Sequence, residues 1–341
     1  MEKIDFETHF YTKEYVNLLS KRRAIPRYVH DKRLNIKYLH YYRNVREPHP
    51  PPILDRLLDF DRTRLQTMDK AGINKQVLSL STPGCEQFDT KTATTIAKSA
   101  NDQLAKLVEK YPERFVGLAS LAPQDPGTAA DELKRAVQEL GLRGWKTHSN
   151  IRGTYLSDKK YWPILEQAEK LDVPIFLHPT IPRIKEFAQN IGYPLAGPAF
   201  GFIVETALCS LRLILTGVFD KYPRLKFFLG HLGESLPFIL NRIDFPVFMP
   251  WVKENMDIKL WKRPSEYFLS NFYIGTSGDF QKPVLECVLK VMGVNRVVFA
   301  SDYPYEKPED AVNRIESLQL QDSEKIKIYS QNAKTLLGIS D

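Results

Sequence analysis

Short runs of β-branched and aromatic residues alternate along most of the chain with longer stretches of helical periodicity. The strand-like runs are 3–9 (KIDFETH), 75–81 (KQVLSLS), 115–121, 142–148, 173–178, 225–230 (LKFFLG), 271–275 (NFYIG) and 296–302 (RVVFASD). Between them, apolar residues recur at helical spacing over 93–110, 127–140, 156–171, 204–222 and 282–292. Strand–helix–strand units with right-handed crossovers make a parallel sheet, and eight such units favour a closed (β/α)8 barrel over an open doubly wound sheet. Two stretches break the alternation. Residues 10–64 carry Pro26, Pro48 and the run Pro50-Pro51-Pro52 together with Tyr38, Tyr41 and Tyr42. So long a segment after the first strand is expected to be a loop that acts as a lid over the barrel mouth. Residues 179–200 form a second insertion, after the fifth strand. With no linker and no repeat beyond the β/α unit, residues 1–341 read as a single domain.

A length of 341 residues suits such a barrel, for which about 250 is typical and insertions add more. The formal charge of +7 changes little. Lys and Arg are scattered over amphipathic helices with no basic tail, which predicts a solvated basic surface and no nucleic-acid partner. Cys85, Cys209 and Cys287 lie far apart and are odd in number. They read as reduced thiols, and the expected compartment is the cytoplasm. The start of the chain has no apolar core of a signal peptide, and no later run approaches 18 apolar residues, so no membrane span is expected.

Candidate chemistry gathers where this fold places active sites, at the C-terminal ends of the strands. Glu7 and His9 are two apart on the first strand and point to the same side. His178 closes the fifth strand, His231 follows the sixth and Asp302 closes the eighth. A lone strand-end His is most often a hydrogen-bonded core residue. Three of seven His at three strand ends, joined by two carboxylates, instead suggest a divalent metal such as Zn2+ or Mn2+. His148 ends the fourth strand two residues after Lys146. Alternation does not decide whether that pair faces inward, so a carbamylated Lys146 bridging two metals is the alternative. His30, His40 and His49 lack ligand spacing and are expected at the surface.

The same residues carry a resemblance to the amidohydrolase superfamily. More narrowly, the chain resembles the branch of γ-resorcylate, 2,3-dihydroxybenzoate and 5-carboxyvanillate decarboxylases and aminocarboxymuconate-semialdehyde decarboxylase. The likeness is densest from ETALCSLRLILTGVFDKYPRLKFFLGHLGESLPFILNRID through NFYIGTSGDF to SDYPYE. It implies Glu7, His9, His178 and Asp302 as ligands of one metal ion, His231 as an active-site base or acid, and Glu234 as its partner. Arg242, in LNRID, matches an arginine that in several relatives contacts substrate in a neighbouring subunit's site. Some relatives add an arginine in the loop after the first strand, for which Arg43 and Arg46 are the candidates here. Gly275 stands where relatives often carry a larger residue, which implies a different pocket shape.

Two activities fit that set. The first is non-oxidative decarboxylation of a hydroxylated aromatic carboxylate such as a dihydroxybenzoate. A metal would hold the ortho-hydroxyl and carboxylate, and Asp302, with a raised pKa, would protonate the ring carbon before CO2 leaves. The second is metal-dependent hydrolysis of a lactone or cyclic ester, in which Asp302 or His231 acts as base. Arg242 lies eleven residues after His231 in a stretch expected to be helical from near residue 233, which puts it roughly 16 Å from His231 at 1.5 Å per residue. The apolar stretch 238–251 around it suggests a homodimer or homotetramer.

Overall fold

Each of the eight strand-like runs becomes a barrel strand in the computed structural model, which describes residues 1–183, 189–255, 260–278 and 281–339. The strands are Ile4–Phe10, Lys75–Leu80, Phe115–Gly117, Trp145–His148, Ile175–His178, Phe227–Leu229, Phe272–Gly275 and Val297–Val298. The first three pair in chain order, the last five pair in chain order, and every pairing is parallel. Parallel bridges between Ala119 and Trp145 and between Thr8 and Tyr303 join the two groups. Along the second seam the Phe6 amide donates to the Phe299 carbonyl at 3.0 Å, and the His9 amide to the Tyr303 carbonyl at 2.8 Å. The ring is therefore closed. Several strands are shorter than their apolar runs: 142–148, 173–178 and 225–230 begin pairing late, at the end away from the mouth, whereas 115–121 and 296–302 leave the ladder early at the mouth. The run 296–302 is paired only at Val297–Val298, and its remainder turns toward the site with Asp302 at φ 60°.

The helices Thr90–Lys110, Pro126–Gln138, Trp162–Lys170, Gly201–Leu215 and Lys282–Met292 match the periodic stretches. Asp89 and Asp125 cap the first two by accepting from the Thr92 and Thr128 amides. The run 204–222 is divided after Leu215 by Gly217, whose φ of 76° suits glycine best. One stretch departs from the expectation about apolar runs. By length and composition the helical residues Leu195–Leu215 are long and apolar enough to cross a membrane. In the fold they are kinked at Gly197, and the helix bonds to the barrel's loops through Glu205 to Asn150 and through Arg212 to Ser157 and Asp158.

Residues 10–64 are more regular than a loop. They form a helix, Lys13–Lys21, then an antiparallel sheet of Arg27–Asp31, Ile36–His40 and Arg46–His49, then a helix, Pro51–Leu58. The prolines sit where ordered structure tolerates them, Pro48 on an edge strand and Pro51 in the first helical turn. The hairpin signal was Asp31, which accepts from the Arg33 and Leu34 amides, with Asn35 in the left-handed region. His49, expected at the surface, is buried, because the third strand of this sheet turns it inward beneath Tyr28.

Inside the barrel, away from the mouth, Ile4, Phe6, Val77, Phe176, Phe228 and Val298 form one apolar layer, and Leu336 and Leu337 of the last helix cover it. Gly275 packs here, where a Cβ would stand 2.6 Å from the Phe228 ring, and it does not line the pocket. Its expected effect on pocket shape is therefore absent. Above this layer the fully buried Arg64 guanidinium donates to the His9 carbonyl at 2.6 Å, to the Arg56 and Asp59 carbonyls and to Gln76 Oε1. Four acceptors fixed by one planar cation pin the end of the first strand.

Candidate metal centre and its pocket

The first strand turns its chemistry inward by an irregularity. Its register against the second strand shifts between Asp5 and Thr8. Phe6 can thus join the apolar layer while Glu7 and His9 also project into the barrel, the re-aiming that a bulge provides. Glu7, His9, His178 and Asp302 converge, each offering one donor atom, with all of these atoms within 4.8 Å of one another. His9 Nε2 lies 2.9 Å from Asp302 Oδ1, and His178 Nε2 lies 3.7 Å from Glu7 Oε1. The Pro179 carbonyl, 2.9 Å from His178 Nδ1, accepts that nitrogen's proton and leaves the Nε2 lone pair facing the cluster. Gly230 matters for its lack of a side chain, since a Cβ there would collide with the Glu7 carboxylate.

Charge makes the cluster costly by itself. Burial pushes Glu7 up to about 8 and drives His9 down to about 4. It also holds His178 well below the usual histidine range. Glu7 Oε1 is buried with no hydrogen-bond partner. An orphaned carboxylate oxygen, two proton-free imidazole nitrogens and a second carboxylate fit one divalent cation of the Zn2+ or Mn2+ kind, whose charge would offset the burial of both anions.

His231 stands at the edge of the cluster, with Nε2 3.7 Å from both Glu7 Oε1 and Asp302 Oδ2. Its Nδ1 is 2.8 Å from Glu234 Oε1, the partnership that the sequence suggested. Burial opposes the imidazolium, but the Glu7 and Glu234 carboxylates outweigh it and hold its pKa well above the ordinary value. Asp302 is the reverse of what was expected. Burial raises it, yet His231, with Nε2 3.7 Å from Oδ2, and His9, with Nε2 2.9 Å from Oδ1, outweigh burial and hold it down at about 2. The segment is also no uniform helix. His231 to Ser235 all have positive φ, from 48° to 75°, after which a 3₁₀ turn, Leu236–Ile239, leads into an α-helix at Leu240–Val247. Ser277 ties this left-handed turn to the metal site by accepting from the His231 amide at 2.9 Å and donating to Glu7 Oε2.

Lys146 and His148 both prove buried, but neither joins the donor group. Lys146 donates to the Leu80 carbonyl and sits over the Phe176 ring, and burial lowers it to about 7. His148 Nδ1 is 2.8 Å from Glu86 Oε2. The four clustered donors make a single-ion site, and a carbamylated bridge at Lys146 is not proposed.

The cluster opens into a cavity of about 170 Å³. A cavity of about 150 Å³ accepts benzene, so this one suits a single substituted ring. His178, His231 and Asp302 form one end, Pro198, Phe202 and Ile203 an apolar wall, and Glu47, Tyr193 and Tyr305 the side nearest the insertion. Arg43 and Arg46 are exposed and do not line it, and Arg46 stacks on Tyr38. Arg242 is also exposed, 5.8 Å from the Phe245 ring and outside this chain's own pocket. Sequence reasoning missed Glu47, Tyr193 and Glu306. Only the run REPH, with a carboxylate two residues before a histidine, carried a signal for the first.

Comparison with known proteins gives a consistent set of likenesses. Residues 4–339 match the family described as amidohydrolase. The γ-resorcylate decarboxylase of Polaromonas sp. is 37% identical over 298 residues, covering 85% of this chain and 91% of that one. The crystal structure of 5-carboxyvanillate decarboxylase from Sphingomonas paucimobilis superposes with a TM-score of 0.88 at 32% identity, covering 99% of both chains. A dihydroxybenzoic acid decarboxylase from Polaromonas sp., with bound manganese and the inhibitor 2-nitroresorcinol, gives 0.83 at 34% identity, covering 99% of this chain and 97% of that one.

Proposed function

The chain belongs to the amidohydrolase family, and from that premise we infer that it is a metal-dependent, non-oxidative decarboxylase of hydroxylated aromatic carboxylates. One observation carries the reading: a ring-sized pocket ends on a four-donor cluster in which Asp302 Oδ2 lies 3.7 Å from His231 Nε2. Glu7, His9, His178 and Asp302 would hold the ion, which would supply Lewis-acid charge toward the substrate's carboxylate and ortho-hydroxyl. The remaining work belongs to the side chains. Glu234 fixes the His231 ring and keeps its proton on Nδ1, so that the second proton on Nε2 is the one directed at Asp302. That proton passes to Asp302 Oδ2 and from there to the ring carbon bearing the carboxylate. The carbon–carboxyl bond then breaks, its electron pair restores the aromatic ring, and CO2 leaves. Protonating carbon first avoids an aryl carbanion, and solvent restores the proton to His231. The apolar wall of Pro198, Phe202 and Ile203 excludes water from the flat faces of the ring.

The test supplies the purified protein with Mn2+, and separately with Zn2+, and presents dihydroxybenzoates and simple aryl lactones. Release of CO2 with one equivalent of the matching phenol is the expected result. Acid release from a lactone with no CO2 from any hydroxybenzoate would replace this reading with the hydrolase.

We infer further that two copies pair through the surface carrying Phe238, Ile239, Phe245, Phe248 and Trp251, all 42–65% exposed. So much contiguous apolar side chain is unusual for a surface helix, and a second copy of this chain is the occupant that also gives the exposed Arg242 a role. Each site then takes the partner's Arg242 as its carboxylate anchor. Arg242→Ala is expected to raise KM while leaving the metal bound. Mixing Arg242→Ala with Asp302→Asn subunits restores activity in one of two sites of the mixed dimer, and no recovery under demonstrated subunit exchange refutes the shared site.

A further inference from the structure

In the long insertion the candidates for a substrate contact were Arg43 and Arg46, both of which are exposed and outside the pocket. The insertion brings a carboxylate instead. Glu47, next to the exposed Arg46, is 4% exposed and lines the pocket. It stands one ring beyond the metal ligands, since the Tyr305 ring lies 5.8 Å from the His9 ring and 6.3 Å from that of His49. Glu47 Oε2 accepts from the Tyr41 hydroxyl at 2.9 Å. His49 Nε2 lies 3.1 Å from Oε1 but too far off the ring-nitrogen axis for an aligned hydrogen bond, and this fully buried nitrogen has no other hydrogen-bond partner. The Tyr193 hydroxyl, kept protonated by burial and by this carboxylate, is a third group facing it.

No lysine or arginine borders Glu47 in the pocket wall among the described residues. The other lining carboxylates differ. Glu306 is paired with Arg314 at 2.9 Å, Glu234 with His231 at 2.8 Å, and Asp302 belongs to the metal cluster. An ionised carboxylate accepts about four hydrogen bonds, so Glu47 retains capacity toward the cavity. A buried anion with spare acceptor capacity attracts a donor and repels a second negative charge.

Resting on the decarboxylase reading, we propose that Glu47 selects the substrate: it favours rings with a hydroxyl or amino group remote from the carboxylate that is lost, and rejects rings with a second carboxylate there. The insertion's antiparallel sheet is then a specificity device. It presents Glu47 on its edge strand and braces it through Tyr41.

Ligands that cannot lose CO2 separate this proposal from the chemistry. The Mn2+-loaded protein is titrated by calorimetry with 2-nitrophenol and with forms carrying an added hydroxyl or an added carboxylate remote from the nitro group. The matching 2-hydroxybenzoates are assayed for CO2 in parallel. Wild type is expected to bind the hydroxyl form ~10–100-fold more tightly than the plain one, the span of one hydrogen bond to a charged group. It is expected to bind the carboxylate form more weakly than either. Glu47→Gln should shrink the hydroxyl preference to about threefold and admit the carboxylate form, while Glu47→Asp, which keeps the charge, should continue to exclude it. A preference unchanged in Glu47→Gln overturns the proposal. So does a wild type that binds the carboxylate form as well as the plain one, or that binds none of the three. If the binding order holds but no benzoate yields CO2, Glu47 keeps its role and the decarboxylase reading falls.

Discussion

Asp302→Asn is expected to cut turnover by ~10²–10⁴-fold, the usual contribution of a group that transfers a proton in the rate-limiting step. The amide keeps the volume and one oxygen for the ion, so metal binding weakens without vanishing, and assays belong at saturating Mn2+. What it lacks is a carboxyl able to take a proton from His231 and pass it to carbon. In the native site Asp302 Oδ1 faces His9 at 2.9 Å and Oδ2 faces His231 at 3.7 Å, so one oxygen serves the cluster and the other the proton path. The substitution separates these duties. Calorimetry with 2-nitrophenol should show ligand affinity within about tenfold of wild type while CO2 release collapses. Turnover within tenfold of wild type at full metal loading excludes Asp302 as the donor.

His178→Ala is expected to remove the ion itself. Three donors remain, and the imidazole that balances Glu7 Oε1 at 3.7 Å is gone, so affinity should fall by at least about 10²-fold, beyond the 10–100-fold typical of losing an outer partner. Wild type should purify with about one equivalent of metal and lose it to chelators. The variant should hold well under a fifth of an equivalent and show none of the rise in Tm that Mn2+ gives wild type. His148→Ala is the control, because His148 is equally buried, has its ring 5.6 Å from that of His178 and is not among the four donors. Near-stoichiometric metal in His178→Ala, or equal loss in His148→Ala, rules out the ligand set.

The metal cluster was legible because it is local in a periodic fold. Strand ends at a barrel mouth face one another, so residue type and position along each run place His9, His178 and Asp302 without knowledge of any contact. The state of Asp302 was not legible. It depends on His9 and His231 approaching from another strand and from the turn after a third, which only the assembled chain brings within 2.9 and 3.7 Å of its carboxylate. The insertion was misread for another reason. Its prolines are compatible with an edge strand and a first helical turn, and the hairpin depended on the side chain of Asp31. Glu47 was invisible in consequence, since a carboxylate in a supposed loop gives no direction, whereas on a paired strand it has one. The helix expected from residue 233 onward starts later, as a 3₁₀ turn at Leu236 and an α-helix at Leu240, because apolar periodicity cannot report the sign of φ.

That same turn has a consequence for anyone redesigning this protein for heat resistance. Ordinary propensity ranks alanine and leucine as the best residues for a helical corner and glycine as nearly the worst. Between His231 and Ser235 the ranking reverses, because left-handed backbone costs L-residues roughly 1–2 kcal/mol each. Leu232 and Ser235 occupy such positions with ordinary side chains, and a consensus-guided library would leave them alone or stiffen them further. Glycine or asparagine there would relieve strain, yet glycine would also loosen the turn that carries the His231 imidazole. Durability and catalytic alignment are set against each other at this corner, so thermal hardening is better sought on the outer helices than here.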